Sequence, residues 1–329
     1  MKGPQRVIAV DVGGSKIAAG LVDVATGAVS DRRHAPTAAS RGGKAVLADV
    51  VRLVTELSRI AGKDAAAAGD TAIGIAVAEL VDLRGRIQSE QTIAWSGVDL
   101  VEAVSTAGGP VVVSSDVRAG ALAEARLGAG ASTDPFVYVS VGSGISSTLV
   151  IEGRPYAGAR GNAIVAASGA FTHDCPACAE AVRVVPEDVA SGHGMVVRFG
   201  QMSPGTIVEG AADIAAAAAA GDVEASTVLR QGGHMLGVIV ARLVDLLDPE
   251  AVVIGGGLGL GLGFDDAGEP RVYHEAFMSA VRSHIWAENG RQVPIVPAAL
   301  GVDAVLIGAA VAAAEDSDGA VASESEAGP

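Results

Sequence analysis

Three apolar runs end in glycine, twice beside an acid or hydroxyl. Asp11-Val-Gly-Gly-Ser15 closes the run at residues 7–10, Gly142-Ser143-Gly144 follows 136–141, and Gly255-Gly256-Gly257 follows 251–254. Glycine lets a backbone approach phosphate oxygens, and a concave set of N–H groups binds anions, so three such turns point to a nucleotide. Asp11 is suited to a magnesium ion, held directly or through water, with Gly13, Gly14 and Ser15 donating to a terminal phosphate. One Asp-x-Gly-Gly alone is equally well an ordinary β-turn, and the recurrence shifts the balance. Asp116 ends another run, 111–114, at the carboxyl end of a strand, where open α/β sheets place ligands. A base for a reacting hydroxyl and a cap for the helix starting at Val117 are both open to it. Neither the Walker A spacing nor the Gly-x-Gly-x-x-Gly of dinucleotide-binding folds occurs at these turns.

The elements that must carry these residues are legible as periodicities. Residues 7–10, 16–22, 71–77, 111–114, 136–141, 145–151 and 251–254 read as strands, and 45–60, 117–126, 275–285 and 302–314 as helices. A long helical pattern over 222–247 is expected to break at Gly232, Gly233 and Gly237. Strand, glycine turn and returning strand occur at the head of each half, which suggests two related α/β domains facing one another. Residues 315–329 read as a disordered acidic tail.

Bulk composition narrows the function classes. The chain has 329 residues, enough for about two domains. Its 44 glycines and 3% aromatics imply a core of small side chains. A net charge of −15, with lysine only at positions 2, 16, 44 and 63, argues against a nucleic-acid partner. No run approaches the ~20 apolar residues of a membrane span, and two cysteines make no disulfide framework, so a cytoplasmic protein is expected.

Four segments in order carry a family resemblance. Asp11-Val-Gly-Gly-Ser-Lys-Ile17 and Ser140-Val-Gly-Ser-Gly-Ile145 resemble the two phosphate motifs of the ROK family (repressor, open reading frame, kinase), within the actin, hexokinase and Hsp70 ATPase superfamily. Leu247-Asp-Pro-Glu-Ala-Val-Val-Ile-Gly-Gly-Gly257 is similar to its adenosine motif, and residues 301–310 to its closing helix. The resemblance implies two ribonuclease-H-like domains around a central cleft: residues 1–116 completed by helix 302–314, and residues 117–301. It implies ATP and Mg2+ as cofactors, bound by Asp11, Gly13, Gly14, Ser15, Lys16, Gly142, Ser143, Gly144, Gly255, Gly256 and Gly257, with Asp11 on the metal. It also implies transfer of phosphate to a carbohydrate-like acceptor with Asp116 as base, and, since members are often dimers, a homodimer. The first strand begins near residue 6, so the family's N-terminal DNA-binding domain is not expected.

The acceptor half departs from the family pattern. Glu79 stands where a glycine is usual, Thr92 near an expected asparagine, and Ser115 before the catalytic aspartate. Val165-Ala-Ala-Ser168 replaces a Glu-x-Gly-His segment, leaving Ser168 at the histidine position. Glu180, in Cys178-Ala-Glu180, resembles the glutamate of the family's Cys-x-Glu and is a candidate sugar ligand, or else an exposed acid at a helix start. Glu79, Thr92, Ser115, Ser168 and Glu180 are thus the candidate acceptor contacts, and the acidic Glu79 suggests an acceptor with an amine or more apolar surface than glucose. Cys175-Pro-Ala-Cys178 with His173 offers only three ligands, so a structural zinc is not expected; weak metal binding, a reversible disulfide and free thiols remain open there. The alternative function is a nucleotide-binding regulatory protein that has lost kinase activity.

Overall fold

A computed structural model describes residues 6–64, 71–107, 109–261 and 272–326. The chain divides into two compact units, one formed by Met1–Ala131, Gly153–Ala163 and Val302–Pro329, the other by Ser132–Glu152 and Ile164–Gly301.

The first unit holds β1 (Arg6–Val12), β2 (Lys16–Asp23), β3 (Val29–Pro36), α1 (Gly43–Asp64), β4 (Ile73–Val77), α2 (Leu100–Ser105), β5 (Val111–Ser115) and α3 (Asp116–Leu127). Its sheet runs β3-β2-β1-β4-β5, with β1, β2 and β3 antiparallel and β1, β4 and β5 parallel. Strands β1 and β4 are almost wholly buried, as continuous apolar runs must be when both sheet faces are covered. Helix α1 covers the sheet with Val46, Val50, Leu53, Val54 and Leu57, the stripe that helical spacing demands.

The second unit repeats the scheme. It holds β6 (Phe136–Val141) and β7 (Ile145–Ile151), while the two-residue β8 (Arg154–Pro155) falls with the first unit. After the ribbon β9 (Phe171–Asp174) and β10 (Ala181–Val184) come α4 (Glu187–Ala190), α5 (Gly192–Met202), α6 (Ala211–Ala219) and α7 (Val223–Leu247). Strand β11 (Ala251–Gly255), α8 (Gly257–Gly261), α9 (Val272–His284) and β12 (Ile295–Pro297) complete it, and α10 (Ala304–Glu326) returns to the first unit. The order β12-β11-β6-β7 mirrors β5-β4-β1-β2: an antiparallel hairpin, then two parallel strands.

Three expectations change. Helix α7 is continuous through Gly232, Gly233 and Gly237, because these glycines are contact points rather than breaks. A Cβ on Gly233 would lie 2.1 Å from the Tyr273 carbonyl oxygen, and one on Gly237 2.5 Å from that of Phe277, so α9 crosses α7 at backbone distance. Helix α3 belongs to the first unit, so the boundary expected at residue 116 moves to 131. The cause is α10: Cβ atoms on Gly308 and Gly74 would lie 1.7 Å from Ala119 O and 1.9 Å from Ala309 O, which wedges α10 between α3 and β4. Finally, the acidic segment from Glu315 is helical as far as Glu326. The segment continues the alanine-rich first half of α10, which favours helix, and Arg126 Nε holds Glu315 at 2.8 Å. Residues 327–329 of the expected tail lie outside the described residues.

Candidate functional site

In the first unit, β1 and β2 meet in a turn that leaves donors unused. Gly13 N–H closes it on Lys16 O at 3.1 Å, while Thr37, fully buried, donates its hydroxyl to Gly13 O at 2.7 Å and its N–H to Ser15 O at 3.1 Å. The N–H groups of Gly14 and Ser15 have no acceptor among the described residues. Lys16 is exposed at the start of β2.

Three carboxylates emerge at the same edge of this sheet, because β1, β4 and β5 are parallel neighbours whose last residues are in register. Asp11 is the next-to-last residue of β1, Glu79 lies just past β4 and Asp116 just past β5. Burial, and then the neighbouring Asp116 charge, raise the Asp11 pKa to about 7, against a lowering by Lys16. Burial raises Asp116 to about 6; the Val117 N–H, donating to its Oδ1 at 2.6 Å, lowers it, and the Glu79 charge raises it. Asp116 is thus the first residue of α3 rather than its cap, since the helix begins one residue earlier than expected, and it is a carboxylate poised near neutrality. Ser115 is buried as the N-cap residue of α3 and makes no side-chain cap bond.

Glu79 does not stand open to an acceptor as the sequence suggested. It is 6% exposed, and its oxygens accept from Ser89 Oγ and from the N–H groups of Gln91 (3.0 Å), Thr92 (2.7 Å) and Ile93 (3.0 Å). A carboxylate has about four lone-pair sites, so four donors fill it. Its work is to hold segment 89–93, and an acceptor amine finds no vacancy on it. Thr92, fixed by that clamp, donates its hydroxyl to Ala78 O at 3.2 Å and sets its methyl group 3.0 Å from where a Cβ on Gly14 would lie.

In the second unit the turn of Gly142-Ser143-Gly144 repeats the device. Gly142 N–H closes on Gly144 O at 2.9 Å, and the N–H groups of Ser143 and Gly144 are left without acceptors among the described residues. The first turn of α5 braces it from behind, with Gly192 N–H on Gly142 O (2.9 Å) and His193 N–H on Ser143 O (3.2 Å). Gly255 and Gly256 are glycines for packing: Cβ atoms there would lie 2.3 Å from Tyr138 Oη and from Val141 O, and Gly256 has φ +81°. Gly257 opens α8 with free space beside it.

The acceptor candidates of this unit separate. Ser168 donates to Glu187 Oε2 at 2.6 Å, while Glu187 Oε1 accepts from Ile145 N–H at 2.8 Å beside the turn. Glu180 is instead exposed in the β9–β10 connection, with Cys178 Sγ 3.9 Å from its carboxylate. Glu187 is the acid that sequence reasoning missed, since the cysteines drew attention to Glu180. The available signal was an acid four residues before Ser191-Gly192, the cap of a helix that starts against the glycine turn. Cys175 and Cys178 are free thiols, and the side chain of His173 lies outside the described residues.

Two α/β units, each headed by a hairpin that offers unpaired N–H groups at its turn, define the actin-like ATPase class. Residues 7–316 match the ROK family, and the chain belongs to it. It is 33% identical over 323 residues to the bifunctional enzyme NanE/NanK of Brucella melitensis, covering 94% of this chain and 54% of that protein. The chain thus spans about half the length of the first curated relatives it matches. It is 27% identical to the N-acetylmannosamine kinase of Escherichia coli O157:H7, over 84% of this chain and 94% of that one. Among solved structures, a ROK family glucokinase from Streptomyces griseus, in complex with glucose and AMPPNP, matches with a TM-score of 0.75 at 26% identity, covering 94% of this chain and 99% of that one.

Proposed function

We propose that this chain transfers the γ-phosphoryl group of ATP to a hydroxyl of a sugar, with Asp116 as the base. The observation that carries the reading is the position and state of Asp116: at the end of a parallel strand, held near pKa 6, and on the sheet edge that also bears Asp11. A base with that pKa is ionised at neutral pH yet still basic enough to take a proton in the transition state. In the step, the acceptor oxygen bonds to phosphorus, the bridging bond to the β-phosphate breaks, and the hydroxyl proton passes to the Asp116 carboxylate.

The residues present suit ATP and magnesium. The N–H groups of Gly14, Ser15, Ser143 and Gly144, without acceptors among the described residues, are donors of the kind phosphate oxygens satisfy, and Asp11 is a buried carboxylate whose charge a divalent cation would stabilise. Bound magnesium-ATP supplies an electrophilic phosphorus with part of its charge neutralised. Asp11 would hold the metal, and Lys16 would add a positive charge beside the turn.

For the acceptor we propose an N-acetylated hexosamine rather than glucose. The apolar Val165-Ala-Ala in place of an ionisable segment, and the names of the NanE/NanK and N-acetylmannosamine kinase relatives, support this. Coupled ADP detection over a sugar panel tests it. Turnover is expected with N-acetylmannosamine or a close N-acetyl analogue and at least about tenfold less with glucose, a margin that one set of buried pocket contacts can supply. Efficient turnover of glucose would reject the acceptor, and no ADP release with any sugar would reject the activity in favour of a nucleotide-binding protein without catalysis.

A further inference from the structure

The second unit contains a cavity of about 840 Å³ that shares no residue with the glycine turns, Ser168 or Glu187. Strand β10, Val185 after it, and helices α4, α5, α7 and α9 wall it. Arg183, Arg198 and Arg230 line it together with Gln231 and His234, and Asp188 is its one acid. In a chain with 38 acids against 23 bases, that lining is a local reversal of charge, three guanidiniums against one carboxylate.

The side chains of Arg183 and Arg230 have no hydrogen-bond partner among the described residues, and that of Arg198 has one. Among the described residues, none of the three forms an ion pair. Arg198 donates through Nη2 to Gln231 Oε1, yet its Nε is buried with no acceptor. A buried donor without a partner is rare in a folded protein and calls for a ligand or water to complete it. The bond to Oε1 also turns the Gln231 amide so that its NH2 group remains available. Four valines, Met235, Ala276 and Ser279 form the rest of the wall.

We propose that this cavity binds a phosphate monoester with an apolar body, the phosphate held by Arg183, Arg198 and Arg230. A phosphate monoester carries about −1.5 to −2 charges near neutrality and three strong acceptor oxygens. That matches a lining whose three arginines exceed its one aspartate by two charges. A carboxylate brings one charge and two oxygens, and leaves a guanidinium unmatched. Arginine forks bind phosphate with two parallel N–H bonds, which gives direction as well as charge. The valine and methionine walls then favour a hydrocarbon or ring-like body over a free inorganic ion.

The test is calorimetric titration of n-hexyl phosphate into the full chain, repeated with a saturating non-hydrolysable ATP analogue so that the glycine turns are occupied. Wild type is expected to bind in both conditions, Arg198→Met and Arg230→Met to bind at least about tenfold more weakly, and n-hexanoate to bind at least about tenfold more weakly than the phosphate. Arg183→Gln, at an exposed position, gives the same readout without touching the core. No binding by wild type, loss of binding to the ATP analogue, unchanged affinity in Arg183→Gln and Arg230→Met, or equal affinity for hexanoate would each overturn the proposal. None of these outcomes depends on sugar turnover, so the proposal stands or falls apart from the kinase reading.

Discussion

The two units share a turn and differ in what surrounds it. Each hairpin closes its first N–H on itself and leaves the next two without acceptors among the described residues. At the first, two carboxylates, Asp11 and Asp116, are raised toward neutrality beside a third that is fully engaged. At the second, Glu187 already spends both oxygens on Ile145 and Ser168. One backbone device therefore serves two ends: donors alone in the second unit, donors beside a titratable group in the first. The proposed reaction assigns proton transfer to the side whose acids are raised toward neutrality, and anion holding to both.

The sharpest way to break that contrast is to remove one acid from each side. Asp116→Asn is expected to lower kcat by about 10²–10⁴, the range for a general base, with nucleotide affinity little changed. Glu187→Gln, which keeps the shape but weakens two hydrogen bonds, is expected to cost about tenfold. Equal losses in the two variants would erase the division of labour.

The units agree in their use of glycine as a packing surface. Gly308→Ala in the first and Gly233→Ala in the second each drive a Cβ into a backbone carbonyl, and each is expected to destabilise by about 1–3 kcal/mol in urea denaturation. A stable variant at either position would mean that the helices there have room to separate.

The carboxylates also set a pH signature confined to the first unit. Asp11 and Asp116 have folded pKa values of about 7 and about 6, above the unfolded value near 3.9. Between those values the folded state binds more protons than the unfolded state, so these two groups make stability fall as pH rises from about 4 to about 7. Asp116→Asn is expected to melt higher than wild type at about pH 8 and to lose that advantage near pH 4, in scanning calorimetry without metal. An advantage independent of pH would assign it to packing instead. The smallest effect belongs to Gly62, in α1 with nothing near its absent Cβ, which is expected to stabilise by about 0.5–1 kcal/mol when changed to alanine.

How much of this was legible in the sequence depends on how far each interaction reaches along the chain. Strand, glycine turn and strand are local, so both hairpins and Asp116 could be located from spacing alone. The state of Glu79 could not, because its donors lie ten to fourteen residues away in a segment without periodicity. Glu187 escaped for the same reason: its partners are Ser168 and Ile145, 19 and 42 residues distant. Gly232, Gly233 and Gly237 look like helix breakers to any local rule, and only the position of Tyr273 and Phe277 shows why a helix keeps them. Likewise the tail from Glu315 reads as solvated acid until Arg126 is found beside it.

The most direct measurement is the pH dependence of kcat/KM for ADP release, taken on wild type and Asp116→Asn with magnesium and an N-acetylated hexosamine. The account predicts that the wild-type value climbs through an apparent pKa of about 6 and that Asp116→Asn loses that limb along with most of the rate. A wild-type profile flat from about pH 5 to about pH 8, or an Asp116→Asn enzyme as fast as wild type, would contradict it.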